Sequence, residues 1–323
     1  MQRNAEVGLF TKPSSLRAKN RATRRHPLNE EDCRLIEIKQ KIAGFDHFIG
    51  SWVNRGDINF VVDVGPANSV DSLIEALVTL NMERVDYILL THTHIDHAGG
   101  LAGFMEHFPM ARVVCHEKGI KHLVDPSVLW EGSRKALGGI AEAYGPPKAV
   151  HQERCIPHTE AHIKDLVMIE TPGHAPYHLS FSYRGSLFAG EAAGNYFSIR
   201  DMDYLRPATP ARFFLKDFLK SVDRLTAFED QRICYAHFGD APNSRHMLNR
   251  FRAQVLRWKE LVEEMMSPGF DDLVMTCVEN LLEEDPDLKA FKFMDPDTQA
   301  RERFFLANSV KGYLGFLEHA RAY

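Results

Sequence analysis

Within the ten residues Thr91–Gly100 (THTHIDHAGG) stand three histidines and one aspartate, His92, His94, Asp96 and His97. Extended residues two apart point to the same side, so a strand end would aim His92 and His94 at one spot. The chain must then turn for Asp96 and His97 to converge on it, and Gly99 and Gly100 allow backbone to approach closely there. Three imidazoles and a carboxylate in so short a span suit a borderline-soft divalent metal: Zn(II) first, or Fe(II) or Mn(II). A lone histidine would be read as a satisfied polar group on a loop. Four ligand-type residues in six, directly after an apolar run, read as a metal site.

The elements that must position them follow from periodicity. Asp86–Leu90 reads as a buried strand running straight into His92. Ile58–Val64 is apolar up to Asp63, as a strand covered on both faces would be. Leu35–Ile42 and Phe48–Val53 read as strands before it, and Ser69 as the start of an amphipathic helix with Leu73, Ile74, Leu77 and Leu80 on one stripe. Ala98–Phe108 reads as a short helix, Ala111–Cys115 as a strand, and residues 118–145 as helix in two pieces. Strands are expected at Asp165–Glu170, Leu179–Tyr183, Leu187–Ala189 and Ile233–Ala236, with a helix at Pro210–Phe228. After residue 243 the chain reads as three helices, near 244–266, 270–284 and 300–321, punctuated by Pro268-Gly269 and by Pro286 to Pro296. The predicted units are a polar, basic arm at 1–30, a catalytic domain at 31–242 and a helical extension at 243–323.

The 323 residues are enough to bury a full core. A net charge of -5 disfavours a nucleic-acid partner. No apolar run approaches a membrane span. Five scattered cysteines without a CxxC pair read as reduced, buried thiols of a cytoplasmic protein. Between Lys12 and Arg25 there are several Lys and Arg and no acid. This arm is too polar for a core and is expected to pack on a second copy of the chain, as in a homodimer.

The His92–Gly100 stretch resembles the HxHxDH signature of the metallo-β-lactamase superfamily, and four further landmarks extend the resemblance over most of residues 31–242. Asp63-Val64-Gly65 resembles its early Asp-x-Gly, Thr171-Pro172-Gly173-His174 its next ligand histidine, Gly190-Glu191 its Gly-Asp, and Ala236-His237 its last ligand. The resemblance implies an α/β fold, a four-layer αββα sandwich followed here by the helical extension. It implies two divalent metal ions, the first on His92, His94 and His174, the second on Asp96, His97 and His237. Glu191 stands where the family has a bridging Asp, one methylene longer. Asp63 and His178 would stand behind the ligands and orient them.

The same resemblance implies a metal-dependent hydrolase in which a metal-bridging hydroxide attacks the substrate while Asp96 or Glu191 handles its proton. Tyr177, three residues past a ligand, is a candidate donor to a substrate oxygen. A thioester or lactone of a small organic acid is the favoured small-molecule substrate. A phosphodiesterase or nuclease-like hydrolase and a mononuclear iron persulfide-type dioxygenase are the alternatives, and a non-enzymatic scaffold ranks last. The pocket is expected from residues 118–145, 192–210 and the C-terminal helices, with Trp52, Trp130, Tyr177, Tyr196 and Arg200 as lining candidates. Arg184 and Arg200 are the cations near the ligand motifs. His116, His122, His151, His158, His162 and His246 show no convergent pattern and are expected to be surface or locally bonded groups.

Overall fold

The computed structural model describes residues 33–266 and 271–321. The basic arm at 1–30 and its expected role in self-association lie outside the described residues. Six strands form the first sheet in chain order: β1 (Cys33–Glu37), β2 (Gly50–Asn54), β3 (Phe60–Val62), β4 (Tyr87–Leu89), β5 (Arg112–Cys115) and β6 (Cys155–Pro157). The first three are antiparallel, and β3 to β6 run parallel. The second sheet holds β7 (Leu166–Glu170), β8 (Leu179–Tyr183) and β9 (Ser186–Gly190). A separate hairpin, β10 (Asn195–Ile199) with β11 (Met202–Arg206), interrupts the sequence. Then β12 (Arg232–Tyr235) pairs parallel with β9, and β13 (Asp240–Ala241) closes the edge.

The strands alternate between two cores, and this makes the sandwich. Phe60, Val62, Leu89 and Val114 from the first sheet meet Leu179, Phe181, Phe188 and Cys234 from the second. Their neighbours Val61, Ile88, Val113, Leu187 and Ile233 point the other way, into a cluster shared with the helices. Strands buried on both faces cannot show apolar–polar alternation, which is why INFVVDV reads as a continuous run.

On the outside lie α1 (Val70–Thr79), α2 (Ile95–Ala98) and α3 (Leu101–His107). Residues 118–145 form three helices, not two: α4 (Ile120–Val124), α5 (Ser127–Leu137) and α6 (Gly139–Tyr144). Pro126 precedes the second, and Gly138, at φ +56°, separates it from the third. The remaining helices are α7 (Leu215–Thr226), α8 (Ser244–Met265), α9 (Leu273–Glu284) and α10 (Pro296–Arg321). Trp258, Val278, Leu281, Val310 and Tyr313 of this C-terminal group are buried in the same cluster as Val61 and Ile88. The extension therefore completes the main core. All five cysteines are buried and none forms a disulfide, and among the described residues no helix is long and apolar enough to cross a membrane.

Candidate metal centre

Every element that carries a predicted ligand ends at one rim of the sandwich. Leu89 of β4 leads into His92 and His94; α2 supplies Asp96 and His97; the turn after β7 brings His174; Gly190 ends β9 just before Glu191; and β12 leads to His237. The structure brings all seven together. His94 Nδ1 lies 2.8 Å from His92 Nε2 and 3.1 Å from His174 Nε2, which makes one three-nitrogen set. His97 Nε2 is 3.5 Å from Asp96 Oδ2 and 2.8 Å from Glu191 Oε1. His237 Nε2 is 3.9 Å from the same Asp96 oxygen and 3.2 Å from the same Glu191 oxygen.

The atoms behind the ligands set which nitrogen faces the centre. Asp63 Oδ2 accepts from the Thr91 hydroxyl at 2.8 Å and from His97 Nδ1 at 2.9 Å. With its proton committed to Asp63, the Thr91 hydroxyl accepts from His92 Nδ1 at 3.0 Å. One carboxylate thus fixes the tautomer of a ligand in each half of the site. Asp63 holds φ at +59° to do so, and its Oδ1 also accepts from the Thr91 N–H. His174 Nδ1 donates to the Ala208 carbonyl at 2.9 Å, and His237 Nδ1 to the Phe48 carbonyl at 3.2 Å. In these four histidines Nε2 is the nitrogen turned inward.

His178, fully buried, stands behind Glu191: its Nε2 is 3.6 Å from Glu191 Oε2, and its Nδ1 is 2.8 Å from the Thr171 hydroxyl. Only glycine fits at 190, because a Cβ there would come within 2.3 Å of the His178 ring. Glu191 therefore turns Oε1 to the His97–His237 half and Oε2 to His178.

Burial drives His92 and His94 below the usual histidine value and pulls His174 down to about 3, so these rings stay neutral. Burial would raise Asp96 and Glu191, but neighbouring imidazoles, His97 foremost, outweigh it and hold both ionised. His97 moves upward: burial opposes its charge, yet Glu191, Asp96 and Asp63 around it prevail. The decisive observation is what remains unbonded. His97 Nε2 and both Glu191 oxygens are buried and take part in no hydrogen bond, although Nε2 and Oε1 are 2.8 Å apart. His97 Nε2 and His237 Nε2 both lie within 3.2 Å of Glu191 Oε1. A buried carboxylate that accepts no hydrogen bond is costly, and a divalent cation beside it removes the cost. The donor set fits Zn(II), Fe(II) or Mn(II).

His94, Asp96, His174, Glu191 and His237 line a cavity of about 600 Å³. Its other walls come from α5, the end of α6, residues 195–211 and α10, so the expected segments do form the pocket. The expected side chains do not. Trp52 is 1% exposed between the sheets and donates to the Tyr235 carbonyl. Tyr196 stacks on Tyr235 and donates to Asp203. Trp130 packs against the helix-side core, and Arg200 lies over the Phe293 ring. Arg184 pairs with Asp57 and Asp165. Aromatic or cationic character along the chain says nothing about which way a side chain faces. The residues missed are Tyr144, Asn195 and Arg206, which line the cavity beside Phe305 of α10.

Tyr177 is also absent from that lining. Its ring packs against His116 and His122, at centroid distances of 5.4 and 6.2 Å. Here the structure corrects a second expectation. His116 and His158 converge, with rings 4.7 Å apart, and His158 Nε2 lies 3.1 Å from Glu170 Oε1. Their convergence comes from β5, β6 and β7 ending side by side across two sheets, which no local spacing could reveal.

The sequence model of the metallo-beta-lactamase superfamily matches residues 51–237, more than half of the chain. A metallo-beta-lactamase fold-containing protein of Sulfurisphaera tokodaii is 29% identical over 191 residues, 56% of this chain and 69% of that protein. A hydroxyacylglutathione hydrolase of Aeromonas salmonicida is 30% identical over 191 residues, 59% of this chain and 60% of its own length. Among solved structures, an archaeal metallo-beta-lactamase superfamily protein from Sulfolobus tokodaii superposes with a TM-score of 0.62 at 22% identity, covering 87% of this chain and 98% of that one. A metallo-beta-lactamase family protein from Thermus thermophilus gives 0.58 at 23%, covering 89% and 94%. With the four-layer fold and the ligand order already in place, the chain belongs to the metallo-β-lactamase superfamily of metal-dependent hydrolases.

Proposed function

We propose that this hydrolase cleaves a carbon-centred ester bond, a thioester before a lactone, with two divalent ions as its cofactor. The observation that carries the metal-dependent reading is the buried Glu191 carboxylate, which lines the cavity and whose two oxygens accept no hydrogen bond. His92, His94 and His174 would hold one ion, and Asp96, His97, His237 and Glu191 Oε1 the other. When bound, such ions supply Lewis acidity and make water a nucleophile near neutral pH.

The chain's own residues do the rest. Asp96, ionised and 18% exposed toward the cavity, is placed to take the proton that water gives up. Leu129, Leu137 and Phe305 offer apolar walls for an acyl group. A thiolate leaves readily, so no strong general acid is required. A phosphodiester would call for cations clamped at the reacting centre. Among the lining cations Lys135 and Lys311 are exposed, and Arg206 gives its Nε to Glu302. Several relatives are named hydroxyacylglutathione hydrolase, and a hydroxyacylglutathione is a thioester. The test compares an acyl thioester, a lactone and a bis-aryl phosphodiester on one metal-loaded preparation. Thioester turnover should lead; phosphodiester cleavage faster by about tenfold or more would overturn the reading.

A further inference from the structure

β10 and β11 place Asn195 directly opposite Arg206 in register, so the two side chains share a face. Both line the cavity that holds the metal ligands, and so does Tyr144 at the end of α6. All three are almost fully buried, at 2%, 1% and 1% exposure. Each nevertheless has a polar atom with no hydrogen-bond partner: Asn195 Oδ1, Arg206 Nη2 and Tyr144 Oη. Three such buried atoms on residues that line one cavity are costly in a folded protein unless a group entering the cavity meets them.

The charge around them has a definite sign. Arg206 Nε donates to Glu302 Oε2, and Arg301 Nε donates to Glu302 Oε1 at 2.9 Å. Two guanidinium groups thus share one carboxylate, all three buried, and one positive charge is left in excess. Arg206 lies 5.3 Å over the Phe305 ring, which also lines the cavity. Fastening α10 to β11 needs only the Arg206–Glu302 bond; it uses neither Nη2, nor the Tyr144 hydroxyl, nor Asn195. Burial, and after it the charge of Asp96, keep Tyr144 well above the usual phenol value, so it is a neutral donor.

We propose that Arg206 Nη2 and Tyr144 Oη receive a carboxylate carried on the acyl half of the substrate, with Asn195 Oδ1 accepting from a hydroxyl beside it. This rests on the hydrolase reading above and names its substrate class: monothioesters or monoesters of short dicarboxylic acids. The scissile carbonyl sits at the metal ligands, the apolar chain runs along Phe305 and Leu137, and the leaving group extends toward the exposed Lys135 and Lys311. Water adds its oxygen to the carbonyl carbon and the carbon–sulfur bond breaks; one proton of the water goes to the leaving thiolate and the other passes by way of Asp96 to solvent, leaving a dicarboxylate and a thiol.

The experiment uses N-acetylcysteamine thioesters on the metal-loaded full chain. The succinyl, glutaryl and adipyl series is compared with the matching butyryl, pentanoyl and hexanoyl series. The best carboxylated member should exceed its neutral counterpart in kcat/KM by roughly tenfold or more, the scale of a charge-assisted hydrogen bond in a buried site. Tyr144→Phe and Arg206→Lys should each pull that ratio toward one. Because Tyr144 Oη bonds to nothing in the protein, Tyr144→Phe should keep the metal content and thermal midpoint, so a fallen ratio does not report unfolding. Calorimetric binding of glutarate against pentanoate gives a readout independent of turnover. If neither thioester series is cleaved but glutarate binds more tightly and Tyr144→Phe removes the difference, the carboxylate seat stands and the thioesterase reading falls. A wild-type preference near one in both assays, or a preference that neither variant moves, overturns the proposal.

Discussion

Two clusters of histidine and carboxylate lie at the same rim of this molecule, and only one of them is built as a metal centre. In the central cluster, Nδ1 of His92, His97, His174 and His237 faces an acceptor, so each turns its Nε2 to the centre. In the peripheral cluster the polarity is reversed. His116 Nδ1 accepts from the Lys118 N–H at 3.2 Å, which puts its proton on Nε2, the atom 4.0 Å from Glu170. His158 Nε2 likewise donates to Glu170, while its Nδ1, on the opposite side of the ring, is buried without a partner. Two N–H groups facing a carboxylate already satisfy one another. The groups behind a histidine, more than the number of histidines, decide whether it is a ligand.

The largest expected effect comes from removing a central ligand. Asp96→Ala should lose the ion shared by His97 and His237 and drop turnover by about a thousandfold or more. Elemental analysis should fall from two ions per chain to one. Normal turnover in this variant would end the two-metal reading and, with it, the contrast between the clusters.

A sharper test leaves every ligand in place. Asp63 stands behind the ligands and orients His97 directly and His92 through Thr91. Asp63→Ala should therefore weaken both half-sites, by roughly 10- to 100-fold in metal affinity. Competition with a chelator would measure it. An affinity unchanged at both sites would show that ligand identity alone suffices.

The central cluster was largely legible in the sequence, and the reason is local. Four of its ligands fall within six residues, and the others follow strand ends whose order can be read from apolar runs. The segments that form the cavity opposite the ligands were legible, but its side chains were not. Arg206 and Asn195 belong to a hairpin whose two-residue turn, Arg200-Asp201, holds φ at +51° and +62° without the Asn-Gly or Asp-Gly pair that advertises such a turn. Tyr144 enters from a helix end far away in sequence. Convergence of this kind is a property of packing, and the peripheral cluster was missed for the same reason.

A smaller effect should separate the clusters by pH. Burial foremost, and then His158, lowers His116 below the ordinary 6.5. A histidine depressed on folding contributes stability that is complete above pH 6.5 and lost as the pH falls through its lowered folded value. His116→Gln should therefore flatten the acid limb of stability slightly. Urea midpoints at pH 7.5 and pH 5 would show it. A variant that loses as much stability as the wild type between those values would remove His116 from the account.

The smallest expected effect is no change at all, and it bears most directly on the contrast. If orientation decides ligation, His158→Ala and Glu170→Gln should leave the metal count of the loaded chain where the wild type has it. The three side chains lie close enough to hold an ion by distance alone. What stands against it is the Lys118 N–H, which would have to give up its acceptor before His116 could turn a lone pair toward Glu170. Glu170 is also half exposed, at 52%, so water already solvates it and no buried, unbonded carboxylate oxygen calls for a cation as at Glu191. A third ion in the wild type that disappears in either variant would mean that the backbone donor yields to a metal, and the rule drawn from the central cluster would not extend across the rim.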